Sequence, residues 1–203
     1  MPPGNPGPIG TETVGVVLAG GASRRMGRDK TTLRLDGRTL VAHSAERLAV
    51  VCPITVVADR GRGLEPGVRS VADGPGVGPG AGLLGARLAY PDASLLALAC
   101  DLPNVPVDLL RALVELPGDL VVPRWRRNAE PLPEPLCALY RPKALDRLAQ
   151  RLGEGRAALH PLTRDSDLEV RFLEGADLER FGPPRRLFAN VNTPDDWETL
   201  RTS

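Results

Sequence analysis

The stretch VVLAGGASRRMGRDK, Val16–Lys30, joins an apolar run to two adjacent glycines and then to a dense set of cations. With the two residues before it the run reads VGVVL, Val14–Leu18: continuous, rich in valine and bounded by glycine, the pattern of a strand buried on both faces. Gly20 and Gly21 at the end of such a strand let backbone N–H groups approach a ligand that side chains would otherwise block. Arg24, Arg25, Arg28 and Lys30 can then neutralise a polyphosphate. A solvated basic loop would carry the same charges, but the glycines at a buried strand end put these at a crevice, which favours binding. A Walker-type phosphate loop is excluded, because Lys30 follows Asp29 and Gly27 lies six residues after Gly21.

The rest of the chain fits one soluble globular domain. Its 203 residues can bury a sizeable core, and 42% hydrophobic with 25% charged residues is an ordinary balance. Aromatics are only 3%, so the core must be built from Val, Leu and Ala. A net charge of +1 argues against a dedicated nucleic-acid binder. Three scattered cysteines and two histidines make no CxxC pair and no zinc spacing, which points to a reducing cytoplasm. No signal peptide or membrane span is legible. Residues 1–11, with the Pro/Gly-rich MPPGNPGPIG, read as a disordered tail, and 12–203 as a single domain. All but two of the 26 basic residues are arginine, so a lysine within the opening loop stands out.

Strands and helices alternate after the opening strand. The spacing predicts a helix over Thr39–Val51, strands over Ile54–Ala58 and Val68–Ala72, and a loop over Gly74–Gly82. A helix over Leu83–Ala89 and a second buried strand over Leu95–Cys100 follow. Beyond these come a helix over Val107–Leu116 and a strand over Leu120–Pro123. A strand over Leu136–Tyr140, a helix over Lys143–Leu152, strands over Leu168–Phe172 and Leu187–Val191, and a closing helix over Pro194–Leu200 with Thr193 as N-cap complete the chain. This alternation implies an α/β fold in three layers: a mostly parallel, twisted, Rossmann-like sheet with helices on both faces. Ligands of such sheets sit beyond the carboxyl ends of the strands, so the loops after Leu18, Ala72 and Cys100 should line one crevice.

Two aspartates end predicted strands at that crevice. Asp101 follows LLALAC directly, where it can reach a metal, and Mg²⁺ needs only one or two carboxylates beside phosphate oxygens. Asp73 could be a second acid, although Asp73-Gly would serve equally as a turn. Gly76, Gly78 and Ala81 fit G-x-G-x-x-A, an outline of a dinucleotide fingerprint. Pro75 and Pro79 remove donors that a pyrophosphate would need, and a simple turn accounts for the same residues.

Together these residues resemble a family. LAGGASRRMGRDK is similar to the nucleotidyltransferase signature L-A-G-G-x-S-x-R-M-G-x-x-K, and most of all to that of the molybdenum cofactor guanylyltransferases. The similarity continues through residues 71–86, CDLP at 100–103, EPLCALY at 134–140 and FANVNTPDD at 188–196. It implies a nucleotide-diphospho-sugar transferase-like fold. The implied reaction transfers GMP from GTP to the phosphate of molybdenum-bound molybdopterin, releasing pyrophosphate and forming the guanine dinucleotide cofactor. By position, Leu18, Ala19, Gly20, Gly21, Lys30, Asp73 and Asp101 would contact the nucleotide, and Asp101 would hold Mg²⁺. Arg25, Lys30 and Asp101 would carry catalysis, with Asn190 and Asn192 at the acceptor. GTP and the molybdopterin cofactor are the implied partners, with handover from other biosynthesis or acceptor proteins.

Three positions depart from the family. Its asparagine after the second strand is absent, with Asp59 the nearest substitute. GPGAG stands for G-P-L-A-G, and Glu134-Pro135-Leu136 stands for a common His-Pro-Thr. A cytidylyltransferase, another phosphorylated acceptor, or a nucleotide-binding module without turnover stay open as alternatives. Retention of both Lys30 and Asp101 favours an enzyme.

Overall fold

The apolar run of the opening stretch forms strand β1 (Thr13–Leu18), buried from Val14 onward. The computed structural model describes residues 12–19, 34–35, 37–128, 130–191, 195–196 and 198–199. The expected tail, the basic loop with Gly20, Gly21, Arg25 and Lys30, and also Asn192 and Thr193, lie outside the described residues. Strands β2 (Arg34–Leu35) and β3 (Arg38–Thr39) pair antiparallel across Gly37. Helix α1 (Leu40–Ala49) begins where the Thr39 hydroxyl accepts the Ala42 N–H at 2.9 Å, a side-chain cap on a free helix donor. Strands β4 (Ile54–Ala58) and β5 (Arg69–Val71) follow.

Helix α2 (Pro79–Ala89) starts four residues before the expected Leu83. Gly78 turns into it with φ of 74°, and Pro79, which needs no N–H partner in the first turn, opens it. The glycines inside this first turn disguised it as loop. Next come β6 (Ser94–Ala99), fully buried, and α3 (Val107–Glu115). The short strand expected at Leu120–Pro123 is a longer β7 (Leu120–Arg127), folded back on β8 (Glu130–Pro133) as a hairpin. Strand β9 (Cys137–Tyr140), helix α4 (Pro142–Gly153), a 3-10 turn at His160–Arg164 and β10 (Val170–Leu173) continue the chain. The strand expected over Leu187–Val191 is not formed: short helices α5 (Ala176–Glu179) and α6 (Pro184–Leu187) occupy this region, and 188–191 is irregular. Residues 195–196 and 198–199 are helical.

Among the described residues eight of the ten strands make one sheet ordered β10-β7-β9-β6-β1-β4-β5, with β8 attached to β7, while β2 and β3 form a separate two-stranded sheet. Pairing is parallel for β1 with β4 and with β6, for β4 with β5 and for β10 with β7. Strand β9 runs antiparallel between β6 and β7. Helices α1 and α3 pack together on one face, α2 and α4 on the other, which is the expected three-layer, mostly parallel arrangement. Chain order runs outward from β1 to β5 and then crosses back to β6 on the other side of β1. The switch point therefore falls between β1 and β6, where open α/β sheets bind ligands. Among the described residues no helix is long and apolar enough to cross a membrane.

The turn leaving β5 lies directly on α2. A Cβ at Gly85 would overlap the Ala72 carbonyl oxygen, and one at Gly74 would meet Gly85 N at 2.9 Å. The backbone contact presses Asp73 against the helix and accepts no side chain. Gly85→Ala should therefore cost about 3 kcal/mol by forcing backbone apart, read by urea unfolding. Gly153→Ala, with nothing within 4 Å of its added Cβ, should stay within about 0.5 kcal/mol of wild type. Equal effects of the two would contradict this packing.

Candidate functional site

The strand ends converge as the sequence implies. Leu18 is paired with Ala58 on one side and Ala99 on the other. The pairing runs one residue past the strands: Ala19 N–H donates to Ala58 O at 3.1 Å, and Cys100 N–H to Leu18 O at 3.2 Å. Both Leu18 and Ala19 are buried, so they form the floor from which the glycine loop departs.

Asp73 and Leu18 both flank Gly82 in the first turn of α2. A Cβ at Gly82 would lie 3.0 Å from Ala58 Cβ, 3.4 Å from Leu18 Cδ2 and 3.8 Å from Asp73 Oδ1. The absence of a side chain there leaves room between the aspartate and the end of β1. Asp73 pairs with Arg60, Nε to Oδ2 at 3.4 Å.

Asp101, next in the chain after Cys100, lies at the switch point. Its carbonyl accepts the Val191 N–H at 3.1 Å, which brings the neighbouring Asn190 to the end of β6. Asn190 is exposed and lines a cleft of about 580 Å³ with Trp125, Arg127, Glu134, His160 and Phe188. Trp125 and Phe188 stack there with ring centroids 6.2 Å apart. Trp125 and His160 are thus both cleft residues. Leu18, Ala19, Asp73, Asp101 and Asn190 share one edge of the sheet, and Arg25, Lys30, Gly20, Gly21 and Asn192 lie outside the described residues.

Glu134 was not singled out as a site residue. Strand β9 is antiparallel to β6, with Cys137 opposite Leu98, so the residues leading into β9 sit at the carboxyl end of β6. Glu134 comes beside Asp101 for this reason. Burial pushes its carboxyl up to about 7, the Leu136 N–H opposes the shift, and the Asp101 charge adds to it. The turn carrying Glu134 is held by Tyr140, whose hydroxyl donates to Pro135 O at 2.7 Å, and by the Ala99 N–H, which donates to Leu136 O at 2.8 Å. The sequence signal, an acid before Pro135 and a buried strand, has no meaning until the direction of β9 is known.

Asp59, the substitute for the family's asparagine, is fully buried and points inward. Its carboxylate accepts the N–H groups of Arg62 at 3.1 Å and Leu64 at 2.8 Å, and the Ser70 hydroxyl. It shapes the following loop. Arg62 in that loop reaches back to donate to Ala19 O at 3.4 Å. The Gly76–Gly78 turn precedes α2 and follows β5, the edge strand, away from the switch point. Gly76 instead faces Leu152 of α4, so the fingerprint outline is a packing turn.

An open, mostly parallel sheet whose strand ends carry Asp73 and Asp101 matches the architecture of the nucleotidyltransferases. Residues 15–168 match the MobA-like NTP transferase domain, and the chain belongs to that family. A probable molybdenum cofactor guanylyltransferase of Synechococcus elongatus is 32% identical over 211 residues, covering 93% of this chain and 97% of the relative. A molybdenum cofactor biosynthesis bifunctional protein of Synechocystis is 32% identical over 92% of this chain, which spans 53% of that longer protein. The solved molybdopterin-guanine dinucleotide biosynthesis protein A of Archaeoglobus fulgidus superposes with a TM-score of 0.76 at 27% identity, over 94% of this chain and 97% of the other.

Because the folded-state pKa of Glu134 lies above its ordinary 4.5, folding favours the protonated acid. Stability associated with this group is present at low pH and is lost as pH rises from about 4.5 to about 7. Glu134→Gln should flatten that decline in metal-free buffer and exceed wild type by about 2 kcal/mol at pH 8, measured by urea unfolding from pH 5 to 8. Parallel pH profiles for the two proteins would refute the assignment.

Proposed function

We propose that residues 12–203 form a nucleotidyltransferase domain that transfers GMP from GTP to the phosphate of molybdenum-bound molybdopterin, giving the molybdopterin guanine dinucleotide and pyrophosphate. The observation that carries this reading is the convergence of Leu18, Asp73, Asp101 and Asn190 at one sheet edge, in a chain whose relatives are named guanylyltransferases. The same family motifs that supply Asp101 also supply the opening loop. In this reading Gly20 and Gly21 admit the nucleotide to the end of β1, and Arg25 and Lys30 hold its β- and γ-phosphates. Asn190 and Asn192 orient the acceptor.

The donor set fits a magnesium ion. Asp101 offers carboxylate oxygens at the end of β6, and Glu134, its carboxyl pKa raised mainly by burial and secondarily by the Asp101 charge, stands beside it. Among the described residues no group of three or more His, Cys, Asp or Glu could hold a metal. Mg²⁺ needs no such cage when phosphates complete its shell. Asp101 would hold the ion, which supplies neutralisation of charge on the phosphates.

The acceptor phosphate attacks the α-phosphorus in line and pyrophosphate leaves opposite. An ionised phosphate needs no strong general base, so the residues' work is positioning and charge stabilisation. That accounts for a cleft without a Ser/His/Asp or Cys/His arrangement among the described residues. Three buried free cysteines suit a reducing cytoplasm. Handover of the acceptor from other cofactor-biosynthesis or acceptor proteins belongs to the same reading.

The test is pyrophosphate release from GTP with the molybdopterin acceptor and Mg²⁺, beside calorimetry with GTP, CTP, ATP and NAD. GTP preference with turnover is expected. Preference for CTP would move the protein to a cytidylyl-transferring activity, and tight binding without turnover to a nucleotide-binding module. Asp101→Ala should lower kcat at least about 100-fold while weakening GTP binding far less. Lys30→Ala should damage both. An Asp101 variant with wild-type Mg²⁺-dependent rates would remove Asp101 from the metal site.

A further inference from the structure

Beyond β7 the sheet edge opens into a groove larger than the cleft that holds Asn190. Its volume is about 820 Å³, against about 580 Å³ for the cleft. One wall is the β7–β8 hairpin, where Trp125 pairs with Leu132 and Arg126 with Pro131. The other is α5 and the start of α6, through Leu178, Pro183 and Pro184.

Both walls are firmly held. The Arg124 guanidinium lies 3.8 Å from the centroid of the Phe172 ring and pairs with Glu174 through two hydrogen bonds of 2.6 and 2.7 Å. These contacts tie β7 to β10 and to the turn that follows it. Prolines have almost no side-chain freedom to lose on contact, and tryptophan has little, so this lining suits binding at low entropic cost. The Trp125 indole N–H is buried and meets no acceptor among the described residues. A tryptophan serving the fold alone would have that donor satisfied.

Charge decides what the groove takes. Arg124, Arg126 and Arg185 line it against Glu174 and Glu179. Arg126 and Arg185 are exposed. The excess is positive, yet two carboxylates in the lining repel a continuous polyanion such as a nucleic acid. The mixture fits a protein segment whose carboxylates are spaced by apolar residues. Trp125 and Arg185 also line the Asn190 cleft, so an occupant of the groove lies against whatever fills the cleft.

We propose that this groove docks an acidic segment of the protein that delivers the molybdopterin acceptor. The inference rests on the acceptor reading above and gives it a partner surface. The acceptor carries an oxygen-sensitive enedithiolate, and a docked carrier passes it into the cleft without release to solvent. The reaction that supplies it is a metal insertion, because the acceptor arrives with molybdenum bound. A receiver of the product fits the groove less well. The dinucleotide spans both sides of the crevice, whereas the groove adjoins the acceptor side alone.

Steady-state kinetics of the full chain with GTP and Mg²⁺ test this with the acceptor presented in two ways. In one it is bound to the metal-insertion protein of the same organism, and in the other it has been freed from that protein anaerobically. Arg126→Glu reverses a charge in the groove at a residue that does not line the cleft, and an unchanged thermal midpoint verifies its fold. It should raise KM for the protein-bound acceptor about tenfold and leave kcat and the KM for free acceptor at wild-type values. Glu179→Arg should lower KM for the protein-bound form about threefold. Opposite shifts from two charge reversals do not arise from a merely structural role. Equal KM changes for the two presentations, or none in either, would overturn docking while leaving the GTP reading intact. Failure of the wild type to transfer GMP to free acceptor would overturn that reading, and docking is then read by sedimentation with the loaded metal-insertion protein. A complex weakened by Arg126→Glu supports the groove, and a complex that is absent or unchanged overturns it.

Discussion

Leu18 is paired on both sides at once, with Ala58 of β4 and Ala99 of β6, and the ladder continues for one more residue through Ala19 and Cys100. That double pairing is the constraint on which the site depends. It aligns the ends of three parallel strands to within a residue, so Ala19, Asp59 and Cys100 all leave the sheet at the same level. A slip of one residue would turn the side chains of β1 to the opposite face and set Ala19 out of level with Asp59 and Cys100. The register is secured by burial: Val14, Val16 and Val17 have no exposed surface, nor do Leu95, Ala97 and Leu98 opposite them. The apolar strands thus hold a polar edge they do not themselves form.

Around this floor, small residues and antiparallel pairing bring the chemistry together. Gly82 leaves room for the Asp73 carboxylate beside Leu18, and Gly85 lets the turn behind Asp73 rest on α2. Strand β9 enters against the direction of its neighbours and carries Glu134 to the end of β6. Val191 ties the segment with Asn190 to the Asp101 carbonyl. The parallel strands present Asp73 and Asp101, and the reversed strand and the C-terminal segment wall the opposite side. Two sides with different origins suit a reaction that joins a nucleotide to a second substrate, because each can be shaped to one partner.

The parallel half was legible in the sequence because its strands are buried on both faces and read as continuous apolar runs. VGVVL and LLALAC announce themselves, and the residues just beyond them are necessarily at the crevice. The remainder was obscured for identifiable reasons. Three glycines within PGAGLLG hide the first turns of α2, since their role is close packing and helix propensity misreads them. Arginines and prolines in β7 and β8 break the alternation that would have marked a hairpin. The direction of β9 leaves no trace in its composition, so Glu134 could not be placed beside Asp101. Asp59 looked like a candidate ligand contact because burial of an acid is rarely inferred from sequence. Only coordinates reveal the three donors it satisfies.

The central claim is that the crevice between β1 and β6 is the nucleotide site. The most direct measurement is a crystal structure with a non-hydrolysable GTP analogue and Mn²⁺, the ion located by its anomalous signal. The account predicts Mn²⁺ at Asp101, phosphates over the Gly20–Gly21 loop and the base toward β4 and β5. A nucleotide seated on the Gly76–Gly78 turn, or a metal remote from Asp101, would contradict it.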